Sequence, residues 1–228
     1  MNKISKLLVI FCAIVVLAGC GSEETLQTQD ETIKPGNTTE MLNADQTESL
    51  RKVNKVYVNG LTSITDQQAE FISKIKVEGN LPLNGLTSIT DEQAESLSKF
   101  VSLSLNGLTS INDQQAESLS GVNVLSLNGL NSITDQQAEN FSKVPIISLT
   151  GLTSLTDQQA ESLSNVKELN LNSLTTLTDS QAEDLSKVEQ LHLFGLTSIT
   201  DKQAEILSKV QFLEISETLQ TLIDKYKN

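Results

Sequence analysis

The chain of 228 residues has few of the side chains on which catalysis and metal binding usually depend. It contains one histidine, two cysteines and no tryptophan, and aromatic residues make up only 4% of it. A thiolate metal site or a Cys–His nucleophile needs several of these residues in a defined order. No phosphate-binding loop, metal-ligand spacing or nucleophile motif is present either, so the sequence predicts no enzyme, no metal and no cofactor.

Positive charge is also scarce. The chain has 16 Lys and Arg residues against 29 Asp and Glu, for a net charge of −13. Without the two lysines of the N-terminal segment described below, the balance is 14 basic (16 − 2) against 29 acidic residues, or −15. Nucleic acid and anionic lipid surfaces both attract positive charge. The charge therefore argues against either as a partner.

No apolar run is long enough for a stable transmembrane helix. The longest, residues 7–17, has eleven apolar residues, follows Lys3 and Lys6, and leads into Leu-Ala-Gly-Cys at residues 17–20. This arrangement predicts an export signal; cleavage after any small residue, or an N-terminal anchor helix, are the alternatives. The order Leu-Ala-Gly-Cys resembles the lipobox of bacterial lipoproteins. The resemblance implies that residues 1–19 are removed with Cys12, and that Cys20 carries a lipid.

Residues 20–41 are rich in Glu, Thr and Gln and contain Pro35 and Gly36. Such a composition buries too little apolar surface to fold, so it predicts a flexible tether after the lipidated cysteine. The lipoprotein resemblance implies a lipid-anchored protein of the cell envelope. Because Gly21 is not an aspartate, it favours the outer membrane if the cell is Gram-negative.

The rest of the chain repeats one motif. Its aspartate falls at regular positions, separated by 25 residues once and by 22 residues five times. These positions are Asp66, Asp91, Asp113, Asp135, Asp157, Asp179 and Asp201. A fixed period in the twenties is typical of a solenoid, in which each unit buries its apolar face against its neighbours.

Each repeat predicts one short strand and one short helix. Leu103 and Leu105 are two residues apart, as in a strand with one buried face, and Gly107 is expected to permit a tight bend after it. A Thr-Asp-Gln-Gln or Asn-Asp-Gln-Gln segment then places Gln three residues after the cap, which is a capping-box signal. The following apolar residues have helical spacing, so each coil is predicted to end in a helix of about two turns.

The pattern L-x-x-L-x-L-x-x-L-x-x-I-T-D-x-x-A-x-x-L resembles the leucine-rich repeats. It is closest to the cysteine-containing subtype found beside F-box domains, although Leu replaces the cysteine and no F-box precedes it. The resemblance implies an α/β solenoid with a parallel sheet on its concave face and helices on its convex face. We expect an N-terminal cap helix at residues 42–52, seven full coils and a final strand at 53–216, and a C-terminal cap helix at 217–228.

The repeated aspartates could suggest a calcium-binding stack. Calcium needs six or more converging oxygens, whereas an aspartate in the first turn of a helix interacts favourably with the helix dipole. The helix-dipole role is the better interpretation, and no metal site is predicted. His192, the single histidine, has no cysteine or serine partner in a recognisable order and is not a candidate catalyst.

The outward strand positions are mostly Ser and Asn, and they vary toward the C-terminal end. The candidate binding residues there are Glu168, Gln190, His192, Phe194 and Phe212. Exposed aromatic side chains beside hydrogen-bonding groups are typical of binding surfaces. The alternative is that Phe194 and Phe212 pack under the C-terminal cap helix.

Together these features predict a non-catalytic, lipid-anchored protein that recognises a protein or glycan through its concave face. Near-uniform repeats also allow a second interpretation, a structural spacer or surface-coat element without a specific ligand.

Overall fold

A computed structural model of the chain describes residues 61–74 and 79–227. Several predictions fall outside these residues. They concern the signal segment, Cys20 and its tether, the N-terminal cap helix and the start of the first coil, residues 53–60.

Short helices and strands alternate along the described chain. The helices are α1 Asp66–Ser73, α2 Asp91–Leu97, α3 Asp113–Leu119, α4 Asp135–Phe141, α5 Asp157–Leu163, α6 Asp179–Leu185, α7 Asp201–Leu207 and α8 Glu217–Asp224. The strands are β1 Asn80–Pro82, β2 Ser102–Ser104, β3 Val124–Ser126, β4 Ile146–Ser148, β5 Glu168–Asn170, β6 Gln190–His192 and β7 Phe212–Glu214. Each repeat therefore supplies one strand and one helix, as predicted.

The strands form one parallel sheet in the order β1 to β7. The register advances by one repeat per strand, so that Leu103 is aligned with Leu125 and Leu125 with Ile147. These central residues point inward and are at most 1% exposed. The parallel sheet with a helix after each strand confirms the predicted α/β solenoid.

The core is a continuous column between the sheet and the helices. In the coil around α3, Leu103, Leu105 and Leu108 meet Ala116 and Leu119 from the helix, and all five are fully buried. Burial of one leucine side chain contributes roughly 1.5–3 kcal/mol. A helix of seven residues is marginal in water, so this packing, together with the helix caps, holds it in place.

Each helix from α1 to α7 begins with the predicted capping box. In α5, the Thr156 hydroxyl accepts a hydrogen bond from the Gln159 N–H, and the Gln159 Oε1 accepts one from the Thr156 N–H, both at 3.0 Å. Asn112 has the same role in α3. Because two backbone donors are satisfied at every helix start, all seven helices begin at the same point of the repeat.

Helix α8 ends the described solenoid by packing against α7. Leu219 and Ile223 on one face of α8 are buried, and Tyr226 is half-buried just beyond the helix. Partial burial, the negative charge of Asp201 and a hydrogen bond to it raise the pKa of Tyr226 above its ordinary value. Within the described residues, every helix is too short or too polar to cross a bilayer.

The tight bend predicted after the strand is present, with Asn106 and Gly107 in a turn, but the reason for glycine differs from the one predicted. Among the described residues the glycine with a positive φ is Gly79, at 92°, so Gly107 does not need the conformational freedom of glycine. A β-carbon on Gly107 would instead collide with the carbonyl oxygens of Asn84 and Leu86 in the preceding coil. Glycine is required here because neighbouring coils stack in close backbone contact.

Candidate binding surface at the C-terminal end of the sheet

The repeated glutamines form a ladder that joins the helical sides of adjacent coils. In addition to its capping hydrogen bonds, Gln159 donates from Nε2 to the carbonyl oxygen of Ile133 in the preceding coil at 2.9 Å. The same bond, also at 2.9 Å, is made by five further glutamines: Gln93, Gln115, Gln137, Gln181 and Gln203. All six are buried. The amide that caps a helix therefore also links it to its neighbour.

The repeated aspartates take part in a second ladder. The cap hydroxyl of Thr156 donates to Asp135 Oδ1 of the preceding coil at 3.0 Å, and equivalent bonds from the caps of α2, α3, α4 and α6 measure 2.8–3.1 Å. At α7, Lys202 Nζ lies 3.0 Å from Asp179 Oδ2. The hydrogen bond and charge of Asp179 raise the pKa of Lys202. The aspartates thus stabilise the contact between coils as well as their own helices.

Metal ligands do not converge anywhere in the described segments. No group of three or more His, Cys, Asp or Glu side chains is placed to hold an ion in residues 61–74 and 79–227. The aspartate carboxylates accept hydrogen bonds from the next coil instead.

The sheet face, meaning the surface formed by the outward residues of β1–β7 and the residues just after them, is mostly engaged in hydrogen bonds of its own. Asn106 Oδ1 accepts from the Ser126 hydroxyl at 2.7 Å and from the Asn128 N–H at 3.0 Å. Asn128 repeats both bonds with Ser148 and Thr150 at 2.7 and 3.1 Å. These side chains are half-buried. The uniform Ser/Asn region is therefore a third ladder between coils, in which the asparagine carbonyl oxygens are already engaged.

This asparagine ladder is interrupted at Thr150, because threonine has no side-chain carbonyl oxygen that could accept the N–H of the next coil. The Asn172 N–H donates instead to Asn170 Oδ1 of its own coil at 3.2 Å. The next residue, Ser173, stands where four other described coils have a glycine in contact with the preceding backbone. The regular bonding between coils therefore stops at the coil that carries Glu168, the first of the predicted binding residues.

The C-terminal patch comprises Glu168, Gln190, His192, Phe194, Phe212 and, in addition, Glu214. Strands β5, β6 and β7 position these residues on the sheet face. Gln190 is aligned between Glu168 and Phe212, and His192 between Asn170 and Glu214. Phe194 follows β6, where its N–H donates to Asn172 Oδ1 at 3.1 Å. The structure thus brings the five predicted residues to one end of one face.

His192 lies between two carboxylates. Its Nδ1 is 2.9 Å from Glu214 Oε2, which is a hydrogen bond, and its Nε2 is 3.6 Å from Glu168 Oε1, which is too far for one. The imidazole is 19% exposed, and its Nε2 is buried without a hydrogen-bond partner in the described part of the chain. The two carboxylates can present negative charge to a ligand, and the hydrogen bond with Glu214 holds the imidazole ring in place.

The aromatic residues of the patch face solvent. Phe194 is 51% exposed and Phe212 is 55% exposed. Both belong to the sheet-face side of their coils, whereas α8 packs against α7 on the other side of the core. The alternative in which these rings pack under the C-terminal cap helix is therefore wrong. Exposed aromatic side chains that lie together among polar groups are typical of a binding surface.

Sequence reasoning missed part of the sheet face. Glu214 was not among the candidate residues, yet it makes the hydrogen bond that orients His192. Val124 and Ile146 also lie on this face, aligned with each other and half-buried. The sequence feature that could have identified Glu214 is its place in the repeat, because it occupies the position of His192 one repeat later.

Comparison with known proteins supports the fold and no closer relationship. No protein-family model matches the chain, and no curated protein matches it. Among solved structures, a TLR13–ssRNA13 complex is 21% identical with a TM-score of 0.52; the match covers 67% of this chain and 24% of that one. An internalin, InlF from Listeria monocytogenes, is 14% identical with a TM-score of 0.38, covering 78% and 73% of the two chains.

This chain corresponds to only about a quarter of the TLR13 chain. At that identity the similarity concerns architecture, which agrees with the parallel sheet and the alternating helices. The chain therefore folds as a leucine-rich-repeat solenoid.

Proposed function

We propose that this protein is a non-catalytic recognition protein that binds a protein or glycan with the C-terminal patch on its concave face. The observation that supports this most directly is the exposure of Phe194 and Phe212, at 51% and 55%, beside the carboxylates around His192. Aromatic residues surrounded by polar groups contribute most of the binding energy in many interfaces. Leucine-rich-repeat solenoids offer an extended surface suited to such a ligand.

The remainder of the sheet face favours a site at this end. Its Ser and Asn side chains bond to one another across the coils. A ligand in the middle of the face would have to replace those bonds. At the C-terminal end it would instead cover exposed aromatic surface and meet the partly exposed carboxylates of Glu168 and Glu214. RNA is not proposed as the ligand. The single-stranded RNA is a component of the TLR13 complex, and the net charge of −13 on this chain disfavours RNA binding.

The test is affinity capture from cell-envelope extracts, together with a glycan array, using the wild-type chain and the double variant His192→Ala/Phe194→Ala. We expect a saturable ligand of the wild type whose binding falls at least about tenfold in the double variant, since interface aromatics commonly contribute more than 1.4 kcal/mol. Val101→Ala is the matched control, because Val101 is 68% exposed but lies far from the patch. Circular dichroism checks that both variants fold. Equal binding by the double variant would exclude the patch as the site.

A second candidate function is that of a structural spacer or surface-coat element. The internal hydrogen bonding of the Ser/Asn ladder favours it, because such a face is stable without a ligand. It predicts no saturable ligand in either assay, and an unchanged envelope structure when the patch is mutated but the repeats are kept.

We also propose that the protein is anchored in the cell envelope by a lipid on Cys20, in the outer membrane if the cell is Gram-negative. The support is the order Leu-Ala-Gly-Cys after eleven apolar residues. Cys20→Ser should abolish incorporation of a labelled fatty acid and release the protein from membranes, whereas Cys12→Ser should do neither. Unchanged membrane attachment of Cys20→Ser would refute the anchor.

A further inference from the structure

Strand β7 is the last strand of the sheet, and it is less covered than the strands before it. In β2 to β6 the central residue is buried and its two neighbours are half-buried. In β7 the pattern shifts: Phe212 and Glu214 are exposed and Leu213 is only half-buried. Helix α8 follows β7 and packs against α7, and no further strand pairs with the outer edge of β7 in the described sheet.

The hydrogen-bond ladder of the sheet is incomplete at β7. In six successive coils, the N–H of the second inward leucine donates to a carbonyl oxygen of the next strand, ending with Leu193 to Glu214 at 2.7 Å. Ile215 is the seventh member of this series, and its N–H has no acceptor among the described residues. In a second series, the N–H of the first residue of a strand donates to the carbonyl oxygen of the residue just before the preceding strand. This series ends with Phe212 donating to the Glu189 oxygen at 3.0 Å, and the acceptor for one more strand would be Gln211. Its carbonyl oxygen has no donor in the described chain.

We propose that the partner of this protein is an extended peptide segment that adds to β7 as an eighth parallel strand. Its first residue would donate its N–H to the Gln211 oxygen, and its third residue would accept from the Ile215 N–H, so that both hydrogen-bond series continue by one strand. Addition of a strand to an open sheet edge is an established mode of peptide recognition. The inference rests on the proposed recognition function and names its partner class.

The neighbours of such a strand define its side chains. Its first residue would lie beside Phe212, where an aromatic or aliphatic side chain makes a favourable cross-strand pair. Its second would point inward beside the half-buried Leu213, which calls for an aliphatic side chain. Its third would lie beside Glu214, which is 56% exposed and uses Oε2 for His192, so a Lys or Arg is favoured. The predicted motif is apolar, aliphatic, basic.

Charge also distinguishes this partner from a second copy of the chain. Two copies would bring together two bodies of net charge −13. A basic peptide is attracted to the same surface. A dimer formed through β7 is therefore an outcome that would overturn the proposal.

The chain has no tryptophan, so a tryptophan peptide gives a fluorescence signal of its own. The probe is the peptide acetyl-Ser-Trp-Ile-Arg-Ser-amide, titrated with the full-length chain and followed by fluorescence anisotropy. A second peptide carries an N-methyl group on the tryptophan amide, which removes the donor to Gln211 without changing any side chain or charge. A third replaces the arginine with glutamate.

We expect the first peptide to bind and to protect the Ile215 amide from hydrogen exchange. N-methylation should weaken binding at least about tenfold, because one hydrogen bond is lost and the methyl group holds the strand away. The glutamate peptide should bind about fivefold more weakly. Glu214→Lys should reverse the preference between these two peptides, whereas Glu117→Lys, with the same charge change on α3, should leave it unaltered.

Several results would overturn the strand proposal. One is equal binding of the N-methylated peptide; another is binding without protection of Ile215. A third is no binding at millimolar concentration, and a fourth is a β7-dependent dimer that excludes the peptide. The proposed function is tested separately. Loss of a captured ligand in His192→Ala/Phe194→Ala, with no response to N-methylation, would retain recognition by the patch while rejecting the added strand.

Discussion

At the scale of the residue, the repeated glutamine explains why this solenoid tolerates a polar residue in a buried position. Gln159 is 7% exposed, and both ends of its amide are bonded, the oxygen to the Thr156 N–H and the nitrogen to the Ile133 oxygen. A buried polar group costs free energy only when its bonds are unmade. The capping-box pattern predicted the first bond. The second depends on a residue 26 positions earlier, and local sequence does not reveal it.

Replacing Gln159 with leucine should lower the free energy of unfolding by about 1–3 kcal/mol, because the Ile133 oxygen and the Thr156 N–H lose their partner. Gln158→Leu is the matched control. Gln158 is exposed, and its side chain donates a hydrogen bond to Glu161 at 3.4 Å, so we expect a change within about 0.5 kcal/mol. Thermal denaturation followed by circular dichroism measures both. Equal effects would mean that neither the capping bond nor the inter-coil bond of Gln159 contributes to stability.

Tyr226 gives a prediction about pH. Its raised pKa means that the folded protein resists ionisation of this phenol. Stability therefore falls as pH rises above the ordinary tyrosine pKa of about 10, because the unfolded chain ionises first. Absorbance at the phenolate band should show one of the two tyrosines titrating late, and Tyr226→Phe should remove that component. A variant that removes an ordinary transition instead would show that neither burial nor Asp201 raises the pKa of this phenol.

At the scale of the element, neighbouring coils stack so closely that their backbones leave no room for a side chain at the repeated glycine. A β-carbon on Gly129 would collide with the carbonyl oxygens of Asn106 and Leu108. The carbonyl groups belong to the preceding coil, so the collision cannot be relieved by turning a side chain. The sequence shows the glycine at this position clearly, but its cause is visible only when two coils are placed together. Ser173, which replaces glycine at this position of the repeat, lies in the coil where the asparagine ladder is interrupted.

Gly129→Ala should therefore destabilise the protein, by about 1–3 kcal/mol, as overpacking commonly does. Gly121→Ala should have the opposite sign. At Gly121 the nearest atom to a β-carbon is the Ser118 oxygen at 3.7 Å, and its φ is not positive. Alanine there reduces the entropy of the unfolded chain and should add about 0.4–1 kcal/mol. Urea denaturation of the pair tests the sign; two losses of equal size would refute the stacking argument.

At the scale of the whole molecule, the solenoid transmits stability from each coil to the next. Contacts between helices join sequential neighbours, and β7 pairs only with β6 in the described sheet. In such an array, stability is a sum of local terms and interfaces, so damage at one end spreads gradually. Helix α8 covers the end of the core with Leu219 and Ile223.

Ile223→Ser should loosen the C-terminal coils first. Ile223 is fully buried, so the variant exposes the core end and places a hydroxyl there. Hydrogen exchange with mass spectrometry should show protection lost in α8 and β7, reduced in the coil of α7, and retained near α3. Thr221→Ser, on the exposed side of α8, should leave the profile unchanged. Uniform loss of protection along the chain would instead indicate one cooperative unit.

The order of strands and helices, the buried register and the helix starts follow from the sequence, because each depends on residues within one repeat of 22. The period, the Leu-x-Leu strands and the Thr-Asp-Gln-Gln caps are sufficient for them. The tertiary structure was needed for whatever involves two coils at once. It showed that glutamine and aspartate link neighbours, that Gly107 is required by close approach, and that Phe194 and Phe212 remain exposed. These contacts join residues 20 or more positions apart, and their geometry depends on how coils stack.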